Sequence, residues 1–188
     1  MKNYKKINFK NSTILSKICI GSDFKSVDPS NFSTLLGFRQ SSFYLINPFL
    51  FEHSLKTGLS LLNSFLKCNF KLIFIAKIDN LVLLSRFQCV CKKKQHLFLQ
   101  DSDIGTGFLT NHSFMKMVII TLFLDNEKAE IVRKEAKQLN IPVVSFTNLN
   151  FNKLSSLVFI GANYTSFFSQ NLILTFISFC LYKRHVNT

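Results

Sequence analysis

A strand, a helix and a second strand follow one another between residues 117 and 146, and this pattern constrains the fold more than any other feature. MVIITLFL (Met117–Leu124) is a continuous apolar run that predicts a buried strand. IPVVSF (Ile141–Phe146) predicts a second buried strand, with the helix NEKAEIVRKEAKQLN between them. One face of that helix is predicted to hold Ala129, Val132, Ala136 and Leu139. Such a unit is a parallel βαβ unit, and its crossover should be right-handed.

The charges around this helix fit the same interpretation. Asp125 is a good helix N-cap, and Glu127 adds an acidic group to the first turn, where the helix dipole favours it. Glu130 and Lys134 are four residues apart, which predicts an ion pair on the outer face. The local signals therefore agree with the apolar pattern.

The rest of the chain adds elements of the same kind. Within PFLFEHSLKTGLSLLNSFLK, which begins at Pro48, leucines recur at helical spacing. Further helices are predicted over residues 79 to 91 and 165 to 182, and apolar runs predict strands at KLIFIA (71–76), LVFI (157–160) and, more faintly, HLFLQ (96–100). The expected fold class is α/β: a three-layer sandwich around a parallel sheet, Rossmann-like or flavodoxin-like.

Length and charge set the domain organisation and the sign of the partner. With 188 residues, 47% of them hydrophobic, the chain has room for one domain with a substantial core. We expect a single α/β domain over residues 14 to 188, preceded by a basic arm, residues 1 to 13, that orders only on its partner. The net charge of +13 indicates a polyanionic partner, either nucleic acid or a membrane surface.

Catalytic motifs are absent from the sequence. In DIGTGFLTN, Gly105 and Gly107 could belong to a phosphate loop, but Thr110 stands where a third glycine is needed and a strand follows instead of a helix. There is no Walker loop and no G-x-S-x-G elbow, and none of the four histidines has a carboxylate at a spacing that indicates a catalytic pair. We predict no enzyme, no cofactor and no small-molecule substrate. The alternative is a small α/β nucleotide-binding domain or enzyme, with a crevice lined by Asp125, Thr147, Asn148 and residues 76 to 80.

Metal and membrane interpretations are weaker still. Cys89, Cys91 and His96 lack a second ligand pair at zinc-finger spacing, and the five scattered cysteines indicate reduced, buried thiols. The aspartates Asp101 and Asp103, with the predicted N-cap aspartate, fit loop or cap positions better than a metal site. The longest apolar run, LILTFISFCLY, is about half of the ~20 residues that a membrane span needs, so we expect no integral membrane association and leave only a peripheral role open.

Several segments resemble motifs of one protein family. FLTN at Phe108–Asn111, with Gly107 in register, is similar to the end of an R-W-L-G-G-T-L-T-N motif. EAKQLNIPVV at Glu135–Val144 is similar to an E-A-x-x-L-x-I-P junction between a helix and a strand. An I-P-G-N-D motif keeps its isoleucine at Ile160 and its asparagine at Asn163. Its other positions are replaced by Gly161, Ala162 and Tyr164, and a serine that follows it in the family stands at Ser169.

A weaker match extends to the N-terminal region, where FYLIN resembles I-H-I-I-D and single residues fall at the expected intervals: Gly21, Pro29, Gly37 and Arg39. These pieces are colinear over residues 14 to 174, and the chain resembles small-subunit ribosomal protein two in its bacterial and organellar form. Two motifs depart from the family, at Asp103-Ile104 and at Asn148-Leu149-Asn150. A long helical hairpin that the family inserts after LTN is missing, because the next strand begins within a few residues.

The resemblance implies a divergent mitochondrial copy of this protein. It would be a non-catalytic structural constituent of the small ribosomal subunit near the junction of head and body, in the mitochondrial matrix rather than a plastid or the bacterial cytoplasm. Its partners would be small-subunit ribosomal RNA and neighbouring ribosomal proteins, with lysines and arginines neutralising phosphates. The RNA-binding candidates are Lys2, Lys5, Lys6, Lys10, Lys25, Arg39, Lys92, Lys93, Lys94, Thr110, Asn111, Lys183 and Arg184.

Overall fold

The structure is a computed structural model that describes residues 18–21, 27–39, 43–111, 117–124, 126–150 and 156–182. In chain order the strands are β1 (Leu35–Arg39), β2 (Phe43–Ile46), β3 (Lys71–Ala76), β4 (Leu97–Gln100), β5 (Met117–Leu122), β6 (Val143–Thr147) and β7 (Val158–Gly161). The α-helices are α1 (Pro48–Lys67), α2 (Leu81–Lys93), α3 (Asn126–Gln138) and α4 (Phe167–Tyr182). The predicted arm, residues 1 to 13, and the predicted N-cap Asp125 lie outside the described residues.

A parallel sheet in the order β4-β3-β5-β6-β7 forms the centre of the molecule. Counted from its first strand this order is 2-1-3-4-5, the flavodoxin-like arrangement. Strands β5 and β6 are buried along nearly their whole length because helices or loops cover both faces, and most of their residues are therefore apolar. The buried hydroxyl of Thr121 in β5 donates to that of Ser145 in β6. Strands β1 and β2 form a separate antiparallel pair.

Alternate residues of the strands point into two different cores. Leu72 and Phe74 of β3 pack in the larger core with residues of α1, α2 and α4. Ile73 and Ile75 pack on the other face with residues of α3. This is the period-two alternation of a strand covered on both sides. The predicted three-layer α/β sandwich is therefore confirmed.

Side-chain caps set the helix starts. Asn47 accepts the amide of Phe49, with Pro48 in the first turn, so α1 begins where the sequence predicted. Asn80 accepts the amides of Val82 and Leu83, which puts the start of α2 at Leu81 and not at residue 79.

The start of α4 is set in the same way. Ser166 accepts the amide of Ser169 through its hydroxyl, while the amide of Thr165 donates to the side chain of Asn163 in the preceding turn. Consequently α4 starts at Phe167, two residues later than predicted.

The predicted inner face of α3 is right for Ala129, Val132 and Ala136, which are all buried, and wrong for Leu139, which is 40% exposed. The helix ends at Gln138, and Asn140 adopts a left-handed φ of 54°. The turn that follows brings the amide of Ile141 onto the carbonyl of Ala136, and Ile141 packs against this core in place of Leu139. The ion pair between Glu130 and Lys134 is confirmed, with 3.5 Å between their charged atoms.

Burial of the cysteines was only partly predicted. Cys19, Cys91 and Cys180 are buried, whereas Cys68 and Cys89 are exposed, so the buried assignment is wrong for these two. All five thiols are free. Cys89 and Cys91 differ in burial because residues two positions apart in a helix do not lie on the same face.

Candidate nucleic-acid interface

The glycine-containing loop between β4 and β5 is anchored by the chain itself. The amides of Gly107 and Leu109 donate to the two carboxylate oxygens of Glu135, at 2.5 and 2.7 Å. Gly107 has a φ of 82°, a conformation that favours glycine, and Leu109 is fully buried beneath the loop. Because a carboxylate already occupies these amides, they cannot cradle a phosphate as a nucleotide loop does.

This contact also joins two of the segments that resemble the ribosomal family. Glu135 opens EAKQLNIP, and Gly107 and Leu109 belong to the segment that ends in FLTN. The candidates Thr110 and Asn111 lie in the exposed turn next to the anchor, where the amide of Asn111 donates to the carbonyl of Gly107. The stretch Gly107–Asn111 thus has a structural role, and within it only Thr110 and Asn111 are exposed.

Other residues in register with that family are also structural. Asn163 donates through its side-chain amide to the carbonyl of Ile20 at 2.6 Å, and its backbone amide donates to Ile18. Gly21 packs against the ring of Tyr44, where an added Cβ would lie 1.8 Å from a ring carbon. Both residues hold the N-terminal segment 18–21 against the sandwich.

The crevice predicted at the carboxyl ends of the strands is not lined as expected. Thr147 is fully buried, and its hydroxyl has no hydrogen-bond partner within the described ranges. Asn148 accepts the amide of Tyr164 through its side chain, and Asn80 caps α2. Thr147 therefore does not line an open crevice as predicted, because its side chain is fully buried.

A shallow surface depression of about 260 Å³ lies at the turn between α3 and β6, lined in part by Arg133, Lys137 and Leu157. Ligands of open parallel sheets bind at the carboxyl ends of the strands, and this depression lies at the amino end of β6. Arg133 has a structural hydrogen bond, because its Nε donates to the carbonyl of Ala129. Burial lowers the pKa of its guanidinium. We assign no ligand to the depression.

In the part of the chain that the structure describes, no group of three or more His, Cys, Asp or Glu side chains is placed to hold a metal ion. Asp103 accepts the amide of Gln100 at 3.1 Å and so closes the short 3-10 turn Asp101–Asp103, as a cap would. Its carboxylate therefore has a structural partner.

Lysines gather at the end of the sandwich where strands begin and helices end. The helices run back against the parallel strands, so their C-terminal turns share this end with the strand starts. We call the following group the basic pole: Lys67, Lys71, Lys92, Lys93, Lys94 and Lys137. All are exposed except Lys94, which is half-buried, and none forms an ion pair with a described carboxylate. Part of this placement is favourable in itself, because cations stabilise helix C-termini.

Carboxylates are concentrated away from the basic pole. Of the eight acidic residues that the structure describes, six lie ahead of an α-helix, in its first half, or after the end of a strand, and a seventh, Asp28, caps the short 3-10 helix Pro29–Thr34. The eighth, Glu135, is occupied by the loop amides. The charge of the described chain is therefore polarised, with an exposed positive end that a polyanion can contact.

The structure brings together only part of the predicted RNA-binding set. Lys94 lies over the ring of Tyr182, with its Nζ 4.8 Å from the ring centre, so Lys92–Lys94 adjoin the end of α4. Arg39 ends β1, but its side chain is not described, and the exposed turn at residues 110 and 111 belongs to a loop. The candidates outside the described residues are Lys2, Lys5, Lys6, Lys10, Lys25, Lys183 and Arg184.

The remaining members of the basic pole were missed by the sequence analysis. Lys67, Lys71 and Lys137 are single lysines, and no run of charge marks them. Their common signal is their position at a helix end or a strand start, which could have been used once the elements were predicted.

By its fold the chain is an α/β protein with a flavodoxin-like strand order. It matches no protein-family model, and a search of curated proteins finds no significant similarity. Among the described helices, none combines the length and the apolar character needed to cross a membrane.

Proposed function

We propose that the chain is a structural constituent of the small ribosomal subunit of mitochondria, bound to ribosomal RNA and to neighbouring proteins near the junction of head and body. The observation that carries the proposal is the basic pole, an exposed group of lysines whose charges no described carboxylate neutralises. RNA phosphates supply the missing negative charge, and release of their counterions favours binding.

The contact between Glu135 and the loop supports the same proposal. Two segments that resemble the ribosomal family, far apart in the sequence, depend on each other through this carboxylate. If the likeness of these two short motifs to the family were accidental, there would be no reason for the two segments to contact each other in the fold. The alternative of a nucleotide-binding domain or enzyme loses its main support here, because the amides of the glycine loop are occupied.

Sedimentation of mitochondrial extracts tests the assignment directly. We expect the chain to migrate with small ribosomal subunits and to dissociate from them at high salt. Recovery of the chain only in the soluble fraction would overturn the proposal. A thermal shift of the purified chain with millimolar nucleotide would instead favour the nucleotide-binding alternative.

Salt dependence tests whether the basic pole itself makes the contact. The double variant Lys92→Gln/Lys93→Gln should lower the slope of log affinity against log salt by about 1.4 to 1.8, since each lost phosphate contact removes about 0.7 to 0.9. Lys56→Gln/Arg86→Gln removes the same charge from exposed residues in the first halves of α1 and α2, away from the pole, and is the matched control. Equal effects of both variants would mean that only net charge matters.

A further inference from the structure

Helix α4 presents two aromatic rings to solvent beside the basic pole. Phe179 is 65% exposed and Tyr182 is 45% exposed, and their spacing of three residues puts them on one face. The opposite face, with Ile173, Ile177 and Leu181, is buried in the core. A single exposed phenylalanine is ordinary on a protein surface, whereas two exposed rings about one turn apart beside a lysine cluster form a distinct surface.

The charged side chains of α2 and α4, the two helices at these rings, are all positive. Helix α2 packs against α4, and Lys94 from the end of α2 lies over the ring of Tyr182. Lys92 and Lys93 are exposed in the last turn of α2. Neither helix contains an Asp or a Glu, so no acidic side chain of α2 or α4 opposes an approaching phosphate.

We propose that Phe179 and Tyr182, the latter through the ring face opposite Lys94, form a stacking platform for unpaired RNA bases, with Lys92 and Lys93 holding the adjoining phosphates. This inference rests on the proposed function and specifies the kind of RNA that the basic pole binds. Aromatic rings stack on the faces of bases, and these faces are accessible in single strands, loops and bulges but hidden inside an A-form duplex. Duplex RNA would contact the lysines alone.

A membrane surface is the competing partner for exposed aromatics flanked by lysines. An interfacial helix inserts a whole apolar face into the lipid. In α4 the wide apolar face is already committed to the core, which leaves two rings for a partner. Two flat rings one turn apart suit stacked bases better than they suit the acyl region of a bilayer.

The test compares binding of the full chain to single-stranded oligo-uridine and to an RNA duplex of equal length, by fluorescence anisotropy across a salt series. Phe179→Ala should weaken single-strand binding about 5- to 150-fold, the usual effect of losing one stacked base, with the salt slope unchanged. Duplex binding should hardly change. Phe167→Ala is the matched control, because Phe167 is 55% exposed in the first turn of the same helix, away from the pole.

Two further variants distinguish base stacking from a general apolar contact and from unfolding of the protein. Phe179→Tyr keeps an aromatic ring and should retain single-strand affinity, whereas Phe179→Leu keeps apolar volume without a ring and should lose affinity as Phe179→Ala does. Equal loss with the Phe167 control, equal loss on duplex and single strand, or full affinity in Phe179→Leu would each overturn the proposal.

The outcomes also distinguish this inference from the proposed function. Unchanged binding by Phe179→Ala, combined with a lysine-dependent salt slope in the parent chain, would refute the platform and leave the ribosomal proposal intact. Absence of RNA binding and of cosedimentation in the parent chain would refute both. Loss of binding to phosphatidylserine vesicles by Phe179→Ala, with RNA binding intact, would identify a membrane as the partner.

Discussion

Replacing Glu135 by glutamine should destabilise the protein far more than the same change elsewhere on α3. Glu135 is 8% exposed, and its carboxylate accepts the amides of Gly107 and Leu109. Hydrogen bonds to charged groups contribute about 1.5 to 3 kcal/mol each. Glutamine keeps one carbonyl oxygen, but its NH₂ group must face the second amide donor. We therefore expect Glu135→Gln to lower the free energy of unfolding by about 2 to 4 kcal/mol.

Glu130→Gln is the matched control for this prediction. It makes the same chemical change on the same helix, but the Glu130 side chain is 57% exposed and pairs with Lys134 across one turn. Exposed pairs of this kind contribute about 0.3 to 0.5 kcal/mol, so the control should unfold almost as the parent does. Urea unfolding monitored by circular dichroism measures both changes from the midpoint and slope.

Amide hydrogen exchange locates the effect. In Glu135→Gln, the amides of Gly107 and Leu109 should exchange faster than those of β5, because the loop opens before the sheet does. A loss beyond about 4 kcal/mol would mean that the loop leaves the sheet and uncovers Leu109 and Ile104, each of which stabilises by about 1.5 to 3 kcal/mol when buried. Equal stability of the two glutamine variants would refute the reasoning, since the carboxylate would then not hold the loop.

Two further predictions concern packing and pH. Gly21→Ala should lower the melting temperature, because the added Cβ would lie 1.8 Å from a ring atom of Tyr44 and overpacking costs about 1 to 3 kcal/mol. Gly37→Ala is the control, since an added Cβ there has no atom within 4 Å, and it should leave the melting temperature unchanged. A Gly21→Ala variant as stable as the parent would contradict this prediction. Burial raises the pKa of Cys91 from 9.0 to about 12 and that of Cys19 to about 11. The unfolded chain therefore loses these protons first, so the stability that the neutral thiols contribute is complete below pH 9 and is lost as pH rises through 11 and 12. As pH increases, the urea midpoint should fall less steeply in Cys91→Ala than in the parent chain. The same fall in both proteins would argue against this prediction.

The fold was predictable because the sequence carries it in local signals that agree with one another. Strands β3 and β5 are apolar almost throughout on both faces, since both faces are covered, and this nearly continuous pattern is hard to mistake. The errors occurred at element ends. Leu139 continues the helical period of α3, yet the backbone turns at Asn140 and Ile141 takes the core position.

The candidate interface was predictable only where several lysines follow one another in the sequence. Lys92–Lys94 stand out as a run, while Lys67, Lys71 and Lys137 are single residues that meet because helix ends and strand starts share one end of a parallel sandwich. Exposure of Phe179 could not be foreseen, because α4 is apolar all round and its sequence does not show which side faces the sheet.

The sequence by itself determined the class of fold and the sign of the chain's own charge. Both are sums over many residues: apolar periodicity specifies strands and helices, and the net charge of +13 requires no coordinates. Only the tertiary structure decided what individual residues do. It showed that the amides of Gly107 and Leu109 are bound to Glu135, and that Tyr182 lies beside Lys94. These pairs are distant in sequence, and no local pattern records a contact that forms when separate elements pack.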